Sequence, residues 1–306
     1  MDLSISIVSW NTRDLLGQCL DSVYAAADGL DIEVVVVDNA SGDGSVEMVR
    51  QRYPRVVLVA NTGNAGFAAA NNQALAASTG RHFLLLNPDT ICRPGALAGL
   101  VRFLDEHPRC GAVGPLVLNP VLSGVEGPVL SGVEGPVLSG AEGADETLQY
   151  SWARFPTFWS EARGRLDRRI AGADKAPTTA QDTCSLGPFR ADWIGGCCLM
   201  VRRDAVNEIG PMDESLFMYC EETDWCLRLV RAGWEVWVEP AARIVHLGGQ
   251  SSALIPDEAA SRLRMSKRLY FAKHHGVFTG AALGAVLGLK YRAGKVLCGR
   301  GRGGGS

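Results

Sequence analysis

Residues 32–38 read Ile-Glu-Val-Val-Val-Val-Asp, a run of mostly β-branched side chains that ends on a carboxylate. Such a run is typical of a strand that is covered on both faces in a parallel sheet. The carboxylate of Asp38 then stands at the carboxyl end of that strand. The stretch therefore predicts an α/β protein with a polar group at the edge of its central sheet.

The residues around this stretch alternate between strand and helix patterns. Strands are predicted over residues 3–9, 56–59 and 82–86, and helices over residues 14–27, 45–53 and 65–78. This succession builds a doubly wound, mostly parallel sheet, which binds ligands beyond the carboxyl ends of its strands. Because Asp38, residues 61–64 and residues 87–89 all follow predicted strands, we expect a nucleotide crevice at that edge.

The bulk properties limit the class of protein. With 306 residues, 47% of them hydrophobic, the chain can bury the core of one large α/β domain or two small ones. A net charge of −3 disfavours general nucleic-acid binding. Nine cysteines without CxxC spacing favour a reduced, cytoplasmic setting. Neither a secretory signal nor an apolar stretch of roughly 18–20 residues, enough to span a bilayer, is found.

Residues 120–143 contain three copies of an eight-residue repeat, PVLSGVEG, PVLSGVEG and PVLSGAEG. Each copy is too short and too rich in Gly and Pro to bury a face of its own. The repeat therefore predicts an inserted surface loop, with a contact arm for a partner as the alternative. The polar, irregular segment 163–186 predicts a lid or a connector.

Three segments carry candidate catalytic and metal-binding side chains. They are NPDT (87–90), EETD (221–224) at the start of a predicted helix, and VHLGG (245–249). A carboxylate, an acidic cluster and a histidine suffice to hold a divalent metal on a diphosphate and to deprotonate a hydroxyl. Each segment also has a structural alternative: an Asx turn, a capped helix and a hydrogen-bonded histidine. Taken together, they suggest sugar transfer from a nucleotide donor.

Two further segments are candidates for ligand contact. The carboxylate of Asp38 can accept a hydrogen bond from a pyrimidine imide or a ribose hydroxyl, although residues 38–45 contain neither GK[ST] nor GxGxxG. The glycines at 195 and 196 precede an apolar strand pattern. They would let the backbone approach a ligand closely, and a β-bulge is the alternative.

Five segments in this order resemble the family 2 inverting glycosyltransferases, especially the rhamnosyltransferase-like branch. They are IVSWN (7–11), VDNASGDGS (37–45), NTGNAGFA (61–68), LLLNPDT (84–90) and FMYCEETDWCLR (217–228). The resemblance covers about residues 3–276 apart from the repeat. It implies a GT-A fold, a nucleotide-diphosphate sugar as donor, and Mg²⁺ or Mn²⁺ as cofactor.

The resemblance also implies a role for individual residues. The residues expected to contact the nucleotide sugar are Ser9, Asn11, Asp38, Asn64, Gly66, Asn87 and Gly196. Asp89 and His246 would hold the metal. Glu222 stands where the family usually has the aspartate that acts as general base, so the base stays open among Glu222, Glu221 and Asp224.

The expected reaction is a single in-line displacement at the anomeric carbon, which inverts its configuration. The branch suggests dTDP-rhamnose as donor, with a UDP-hexose next, and a glycan or a lipid-linked acceptor in cell wall or polysaccharide biosynthesis. Two alternatives stay open: a nucleotidyltransferase, although no basic triphosphate-binding loop is found, and a catalytically silent nucleotide-sugar-binding protein.

The C-terminal residues predict a separate extension. We expect a GT-A catalytic domain over residues 1–256 and a helical extension with a flexible tail over residues 257–306. Basic residues flank the apolar segment 277–289. This pattern predicts either peripheral contact through residues 262–302 with the inner face of a cell membrane, or a helix packed on the catalytic domain.

Overall fold

The structure is a computed structural model that describes residues 1–120, 147–164, 183, 186–248 and 254–300, with side chains described to residue 292. The repeat from residue 121 to 143 and most of the irregular segment between 163 and 186 lie outside the described residues. Gly249 and the tail over residues 301–306 also lie outside them. The expectations for these segments stay predictions.

The described strands and helices alternate along the first half of the chain, as the sequence predicts. The strands are β1 (Leu3–Ser9), β2 (Ile32–Asp38), β3 (Val57–Ala60), β4 (His82–Leu86), β5 (Thr90–Cys92), β6 (Cys110–Leu118), β7 (Leu148–Gln149), β8 (Trp152–Ala153), β9 (Phe189–Arg190), β10 (Trp193–Ile194), β11 (Cys198–Arg202) and β12 (Glu235–His246). The helices are α1 (Arg13–Ala25), α2 (Ser45–Arg52), α3 (Phe67–Ala76), α4 (Ala96–Glu106), α5 (Phe158–Arg163), α6 (Arg203–Ile209), α7 (Glu221–Arg231), α8 (Pro256–His275) and α9 (Val277–Arg300).

The central sheet has the strand order β3-β2-β1-β4-β11-β6-β12-β5, with β7 beside β6 and β9 beside β12. Strands β3, β2, β1 and β4 are parallel to one another, and β12 is parallel to β6. Strand β11 lies antiparallel between β4 and β6, and β5 is antiparallel to β12. The predicted mixed α/β architecture with a largely parallel sheet is therefore confirmed.

Strand β2 shows why the run of valines predicts burial on both faces. Successive side chains of a strand point to opposite faces of the sheet. Val34 and Val36 lie in the core on the side of α1 and α4, whereas Val35 and Val37 lie in the core on the side of α3 and α7. Because each face is covered by helices, an alternating polar pattern would bury unpaired polar groups.

The two C-terminal helices form a packed pair. Tyr270 and Phe271 of α8 and Leu283 of α9 form a small core, and all three are at most 1% exposed. Gly280 lets the helices approach closely, because a Cβ there would lie 2.6 Å from the backbone oxygen of Arg268. No helix within the described ranges combines the length and hydropathy needed to cross a membrane.

Candidate active site

Strand pairing brings the NPDT segment next to His246. Residues 87–89 form the turn between β4 and β5, and β5 then pairs antiparallel with β12, so that Thr90 lies opposite His246. The turn is fixed by backbone hydrogen bonds from Asn87 N to Cys197 O at 2.9 Å and from Leu247 N to Asp89 O at 3.0 Å. The sheet register therefore places the Asp89 carboxylate against the imidazole.

Asp89 and His246 form a close, buried pair. The distance from Asp89 Oδ1 to His246 Nε2 is 3.1 Å, and Asp89 and His246 are 5% and 8% exposed. On the other side of the ring, His246 Nδ1 lies 2.6 Å from Gln149 Oε1. A carbonyl oxygen can only accept, so Nδ1 of His246 donates to Gln149, and Nε2 faces Asp89. Asn87 Nδ2 lies 3.2 Å from the same nitrogen.

The chemistry of this pair fits a divalent cation. A carboxylate oxygen and an imidazole nitrogen are both atoms that divalent metal ions accept as ligands, and here the two lie 3.1 Å apart. Mg²⁺ is often bound by one or two protein side chains, with substrate phosphates and water as its other ligands. Among the described residues, no group of three or more His, Cys, Asp or Glu side chains is arranged to hold a metal ion. A metal at Asp89 and His246 would therefore need phosphate or water as further ligands.

The acidic cluster faces the cavity because the chain turns sharply before α7. Tyr219 and Cys220 adopt positive φ angles of 71° and 68°, a region that side chains other than glycine rarely occupy. The preceding Phe217 accepts a backbone hydrogen bond from Phe67 N at 2.7 Å. Strained backbone held by tertiary contacts is common at functional sites. Helix α7 then starts at Glu221, with Glu221 and Glu222 on the cavity wall.

The environment of Glu222 suits a general base. Burial raises the pKa of Glu222 from its usual 4.5 to about 7. Burial and the neighbouring charge of Glu222 also raise the pKa of Glu221 well above its ordinary value. A carboxylate whose pKa is near neutrality accepts a proton more readily than an exposed one and is still partly ionised at neutral pH.

Asp224 lies in a different environment, away from the cavity. It is completely buried and contacts Arg228 at 2.9 Å, Lys273 at 2.8 Å and His274 at 2.6 Å. Burial alone would raise the pKa of Asp224, but hydrogen bonds from Lys273 and His274 and the charge of Arg228 outweigh it and lower that pKa. Asp224 therefore stays ionised and joins α7 to α8, and the structure does not bring it to the cavity wall.

The cavity has a volume of about 220 Å³ and lies at the carboxyl ends of the parallel strands. Seven of the predicted site residues line it: Asn64, Gly66, Asn87, Asp89, Gly196, Glu221 and Glu222. His246 lies directly behind Asp89. The remaining predicted site residues do not line it: Ser9, Asn11, Asp38 and Asp224.

Ser9, Asn11 and Asp38 shape the neighbouring loop. Asn11 Oδ1 accepts a hydrogen bond from Gly42 N, and Asp38 Oδ1 accepts one from Ser41 N, both at 2.8 Å. Ser9 Oγ lies 3.0 Å from Thr12 Oγ1. The other oxygen of Asp38, Oδ2, is buried and has no hydrogen-bond partner among the described residues. Such an orphaned acceptor is what a ligand N–H or hydroxyl would satisfy, so nucleotide contact by Asp38 stays a prediction.

The two predicted glycine positions have a packing reason. A Cβ at Gly66, where φ is +87°, would lie 2.5 Å from the backbone oxygen of Phe217. A Cβ at Gly196 would lie 3.2 Å from the Phe67 ring and 3.8 Å from the Glu222 Cβ. Both glycines therefore allow neighbouring segments to approach each other around Glu222. Both glycines also line the cavity, so their contact with a nucleotide sugar stays a prediction.

Several cavity residues were missed by the sequence analysis. They are Trp10, Asn39, Phe217, Tyr219, Ile255, Ala259 and Arg262. Asn39 could have been recognised as a cavity residue, because it directly follows Asp38 at the end of β2. Its Oδ1 accepts hydrogen bonds from Asn61 Nδ2 and Ala65 N. Ala259 and Arg262 come from α8, beyond the predicted domain boundary at residue 256. The extension therefore forms part of the cavity wall.

An α/β sheet that presents an aspartate at the end of β4, across one cavity from an acidic helix start, is the arrangement that the resemblance to glycosyltransferases with the GT-A fold implies. Known structures agree on the fold. The mannosyltransferase PcManGT from Pyrobaculum calidifontis, solved with GDP-Man and Mn²⁺, superimposes with a TM-score of 0.53 at 18% sequence identity. The match covers 96% of this chain and 79% of the mannosyltransferase.

The chain carries a glycosyltransferase family 2 domain, because residues 4–129 match the family model described as Glycosyl transferase family 2. It is 28% identical over 294 residues to N-acetylglucosaminyl-diphospho-decaprenol L-rhamnosyltransferase of Mycobacterium tuberculosis (strain ATCC 25618 / H37Rv), covering 92% of this chain and 87% of the relative. Rhamnosyltransferase WbbL of Escherichia coli K12 is 38% identical over 55 residues, which are 18% of this chain and 21% of WbbL. The predicted glycosyltransferase family 2 domain is confirmed over residues 4–129, and the predicted GT-A fold is confirmed.

Proposed function

We propose that this protein transfers a sugar from a nucleotide-diphosphate donor to a hydroxyl group, with inversion at the anomeric carbon. The observation that carries the proposal is a single cavity that contains both Asp89, paired with His246, and Glu222, whose pKa is raised to about 7. Asp89 and His246 suit the binding of a leaving diphosphate, and Glu222 suits the deprotonation of an attacking hydroxyl. One cavity thus supplies both halves of a displacement.

The donor nucleotide is held by the loops that follow β1, β2 and β3. Asn64 and Asn39 line the cavity there, and the unpaired Oδ2 of Asp38 would accept a hydrogen bond from the base or the ribose. Asp89 and His246 would hold Mg²⁺ or Mn²⁺, which supplies charge neutralisation for the leaving diphosphate. Asn87 Nδ2 lies 3.2 Å from His246 Nε2, and a metal on that nitrogen would replace this contact.

Glu222 is the general base that we favour among the three candidates. It takes the proton of the acceptor hydroxyl as that oxygen attacks the anomeric carbon. Glu221 is more deeply buried, and its Oε2 has no hydrogen-bond partner among the described residues, so it is the second candidate. Asp224 is left out because its oxygens contact Arg228, Lys273 and His274 outside the cavity.

We place rhamnose first among the donor sugars and other hexoses second. This choice is supported by the two relatives, which are named as rhamnosyltransferases, and not by a contact in the cavity. The M. tuberculosis relative is named for a lipid-linked substrate, N-acetylglucosaminyl-diphospho-decaprenol. We therefore propose a lipid-linked glycan as acceptor.

Peripheral contact with a membrane belongs to the same proposal. Val277 and Phe278, at the junction of α8 and α9, are 74% and 92% exposed. A phenylalanine with that exposure at a helix start can insert into the boundary between lipid head groups and acyl chains. The basic residues of α8 and α9 would add attraction to an anionic surface.

The proposal is tested by incubating the purified protein with Mn²⁺ and a panel of nucleotide sugars, with and without a lipid-linked acceptor. Release of nucleoside diphosphate that depends on one sugar and increases with acceptor is the expected result. Binding of a nucleotide sugar without any turnover would favour a silent binding protein. Release of inorganic diphosphate from a nucleoside triphosphate would favour a nucleotidyltransferase.

A further inference from the structure

We propose that Arg262 binds the phosphate group of an amphiphilic acceptor, in which that phosphate is attached to a lipid chain. This inference rests on the proposed function, because it concerns the acceptor of the same cavity. It assigns the phosphate contact to α8, a helix outside the region matched by the family model, residues 4–129.

The charge of the cavity makes a cation necessary for such an acceptor. Its wall carries the carboxyl groups of Asp89, Glu221 and Glu222. A phosphate that entered an acidic cavity without a partner would be repelled and would lose its hydration. Among the cavity-lining residues that the structure describes, Arg262 is the single Lys or Arg.

The guanidinium group of Arg262 is held in place yet keeps donors for a ligand. Its Cζ lies 4.2 Å from the centroid of the Phe217 ring, and one amine donates to Glu258 Oε1 at 2.6 Å. Glu258 is 54% exposed, so this pair is screened by solvent and exchanges readily for a stronger partner. A guanidinium stacked on an aromatic ring is well suited to bind phosphate through two parallel N–H groups.

Helix α8 holds this guanidinium at a fixed position relative to Glu222. Ser266 Oγ, one turn after Arg262, donates to Met218 O at 2.7 Å. Two turns further along, Lys273 contacts both Asp213 and Asp224, at 2.6 and 2.8 Å. The same segment that leads into α7 is therefore tied to α8 on both sides of Glu222, and the distance between base and arginine is set by folded structure.

Apolar side chains beside Arg262 fit the lipid part of the acceptor. Ile255 lines the cavity, and Leu254, where the described chain resumes, is 57% exposed. Met265, one helical turn beyond Arg262, is 55% exposed. A phosphate at Arg262 would leave its chain to run over these side chains, whereas a purely polar acceptor would gain nothing from them.

The experiment measures binding of farnesyl diphosphate, a short lipid phosphate, by isothermal titration below its critical micelle concentration. EDTA is present so that metal does not contribute. The variants are Arg262→Gln and Arg262→Lys, and the matched control is Arg264→Gln. Arg264 lies on the same helix, but its guanidinium stacks on Tyr291 at 3.9 Å and it does not line the cavity. Thermal unfolding of each variant confirms that it is folded.

We expect Arg262→Gln to weaken farnesyl diphosphate binding by about 10–100-fold, because charge-assisted hydrogen bonds to phosphate are lost. Arg262→Lys should lose less affinity for farnesyl diphosphate, since lysine keeps the positive charge but cannot form the bidentate hydrogen bond. Arg264→Gln should bind as the parent protein does. In a second arm with Mn²⁺, the affinity for dTDP should be the same in all four proteins.

Equal binding of farnesyl diphosphate by the parent protein and Arg262→Gln, or no binding by either, overturns the inference. Loss of dTDP affinity in Arg262→Gln also overturns it, because the arginine then belongs to the donor diphosphate. Neither arm requires turnover. Failure of the proposed function would instead appear as absent donor turnover in the parent protein, so the two failures are distinguishable.

Discussion

On the sheet side of the cavity, Asp89 and His246 are placed by strand pairing. On the helix side, helix α7, which carries Glu222, is held by contacts between Asp224 and the distant helix α8. The sheet side needs only the register of β5 on β12, which puts Thr90 opposite His246. The helix side needs α8, whose Lys273 and His274 contact Asp224. The Asp89–His246 side is therefore part of the core sheet, and the Glu222 side depends on the C-terminal extension.

The helix side contains a second contrast within one helical turn. Glu222 faces the cavity, where burial raises its pKa to about 7. The pKa of Asp224, two residues later, is lowered despite burial by hydrogen bonds from Lys273 and His274 and by the charge of Arg228. Two carboxylates with opposite pKa shifts suit different tasks: a raised pKa suits proton exchange, which we propose for Glu222, and a lowered pKa suits a charge that supports the structure.

The largest expected effect tests the assignment of the base. Glu222→Gln keeps the shape of the side chain but removes its ability to accept a proton, so we expect transfer to fall about 10²–10⁴-fold. Affinity for dTDP in the presence of Mn²⁺ should change less than about twofold, measured by titration calorimetry. Full transfer by this variant would reassign the base, and Glu221→Gln is the variant to examine next.

The next effect is on stability and separates Asp224 from Glu222. Asp224→Asn leaves Arg228 and Lys273 without their buried counter-charge, and we expect a loss of about 3 kcal/mol in the free energy of unfolding in urea. The control is Asp31→Asn. Asp31 pairs with the terminal amine at 3.0 Å and is 64% exposed, so its loss should cost less than about 1 kcal/mol. Equal effects of the two substitutions would show that the buried network adds nothing.

A smaller effect is expected on the sheet side. Gln149 Oε1 fixes the tautomer of His246, so Gln149→Leu should leave the imidazole free to rotate and to present a proton to Asp89. The Mn²⁺ concentration for half-maximal transfer should rise about 10–100-fold, with kcat at saturating Mn²⁺ less affected. Gln73→Leu serves as control, since Gln73 contacts Asn61 and lies apart from the pair. Activity that persists in chelator would remove the metal from the proposal.

Much of the nucleotide-binding half could be predicted from the sequence, because its signals are local. The predicted strand over 32–37 and helix over 65–78 agree with β2 and α3 to within two residues at each end. Helix α3 starts at Phe67 because Gly66, with φ +87°, is held against Phe217. The sequence shows a glycine at that position but not its distant partner.

The helix side could not be predicted in the same way. The spacing of Asp224 and Arg228 predicts an ion pair along one helix. The partner that decides the role of Asp224 is His274, which lies 50 residues away in the sequence. Local patterns do not determine such pairings, so the sequence left three carboxylates open as the base. The placement of Arg262 in the cavity depends on the same docking of α8.

The smallest expected effect concerns pH, and it probes Glu222 in two ways. As a base with a pKa of about 7, Glu222 must be ionised, so kcat/KM should rise tenfold per pH unit below 7 and level off above it. The contribution of Glu222 to folding stability changes with pH in the opposite direction, because it falls as pH rises. A carboxyl group whose pKa is raised from 4.5 on folding favours the folded state below pH 4.5, and this contribution is lost as pH rises through about 7.

Glu222→Gln removes that loss, so the variant should gain stability relative to the parent protein as pH rises from 5 to 8. Because Glu222 is only partly shielded from solvent, we expect a difference on the order of 1 kcal/mol, or about 2–4 °C in Tm. Calorimetric scans at both pH values measure it. A Tm difference that does not change with pH would mean that Glu222 titrates normally, and the contrast with Asp224 would then no longer identify the base.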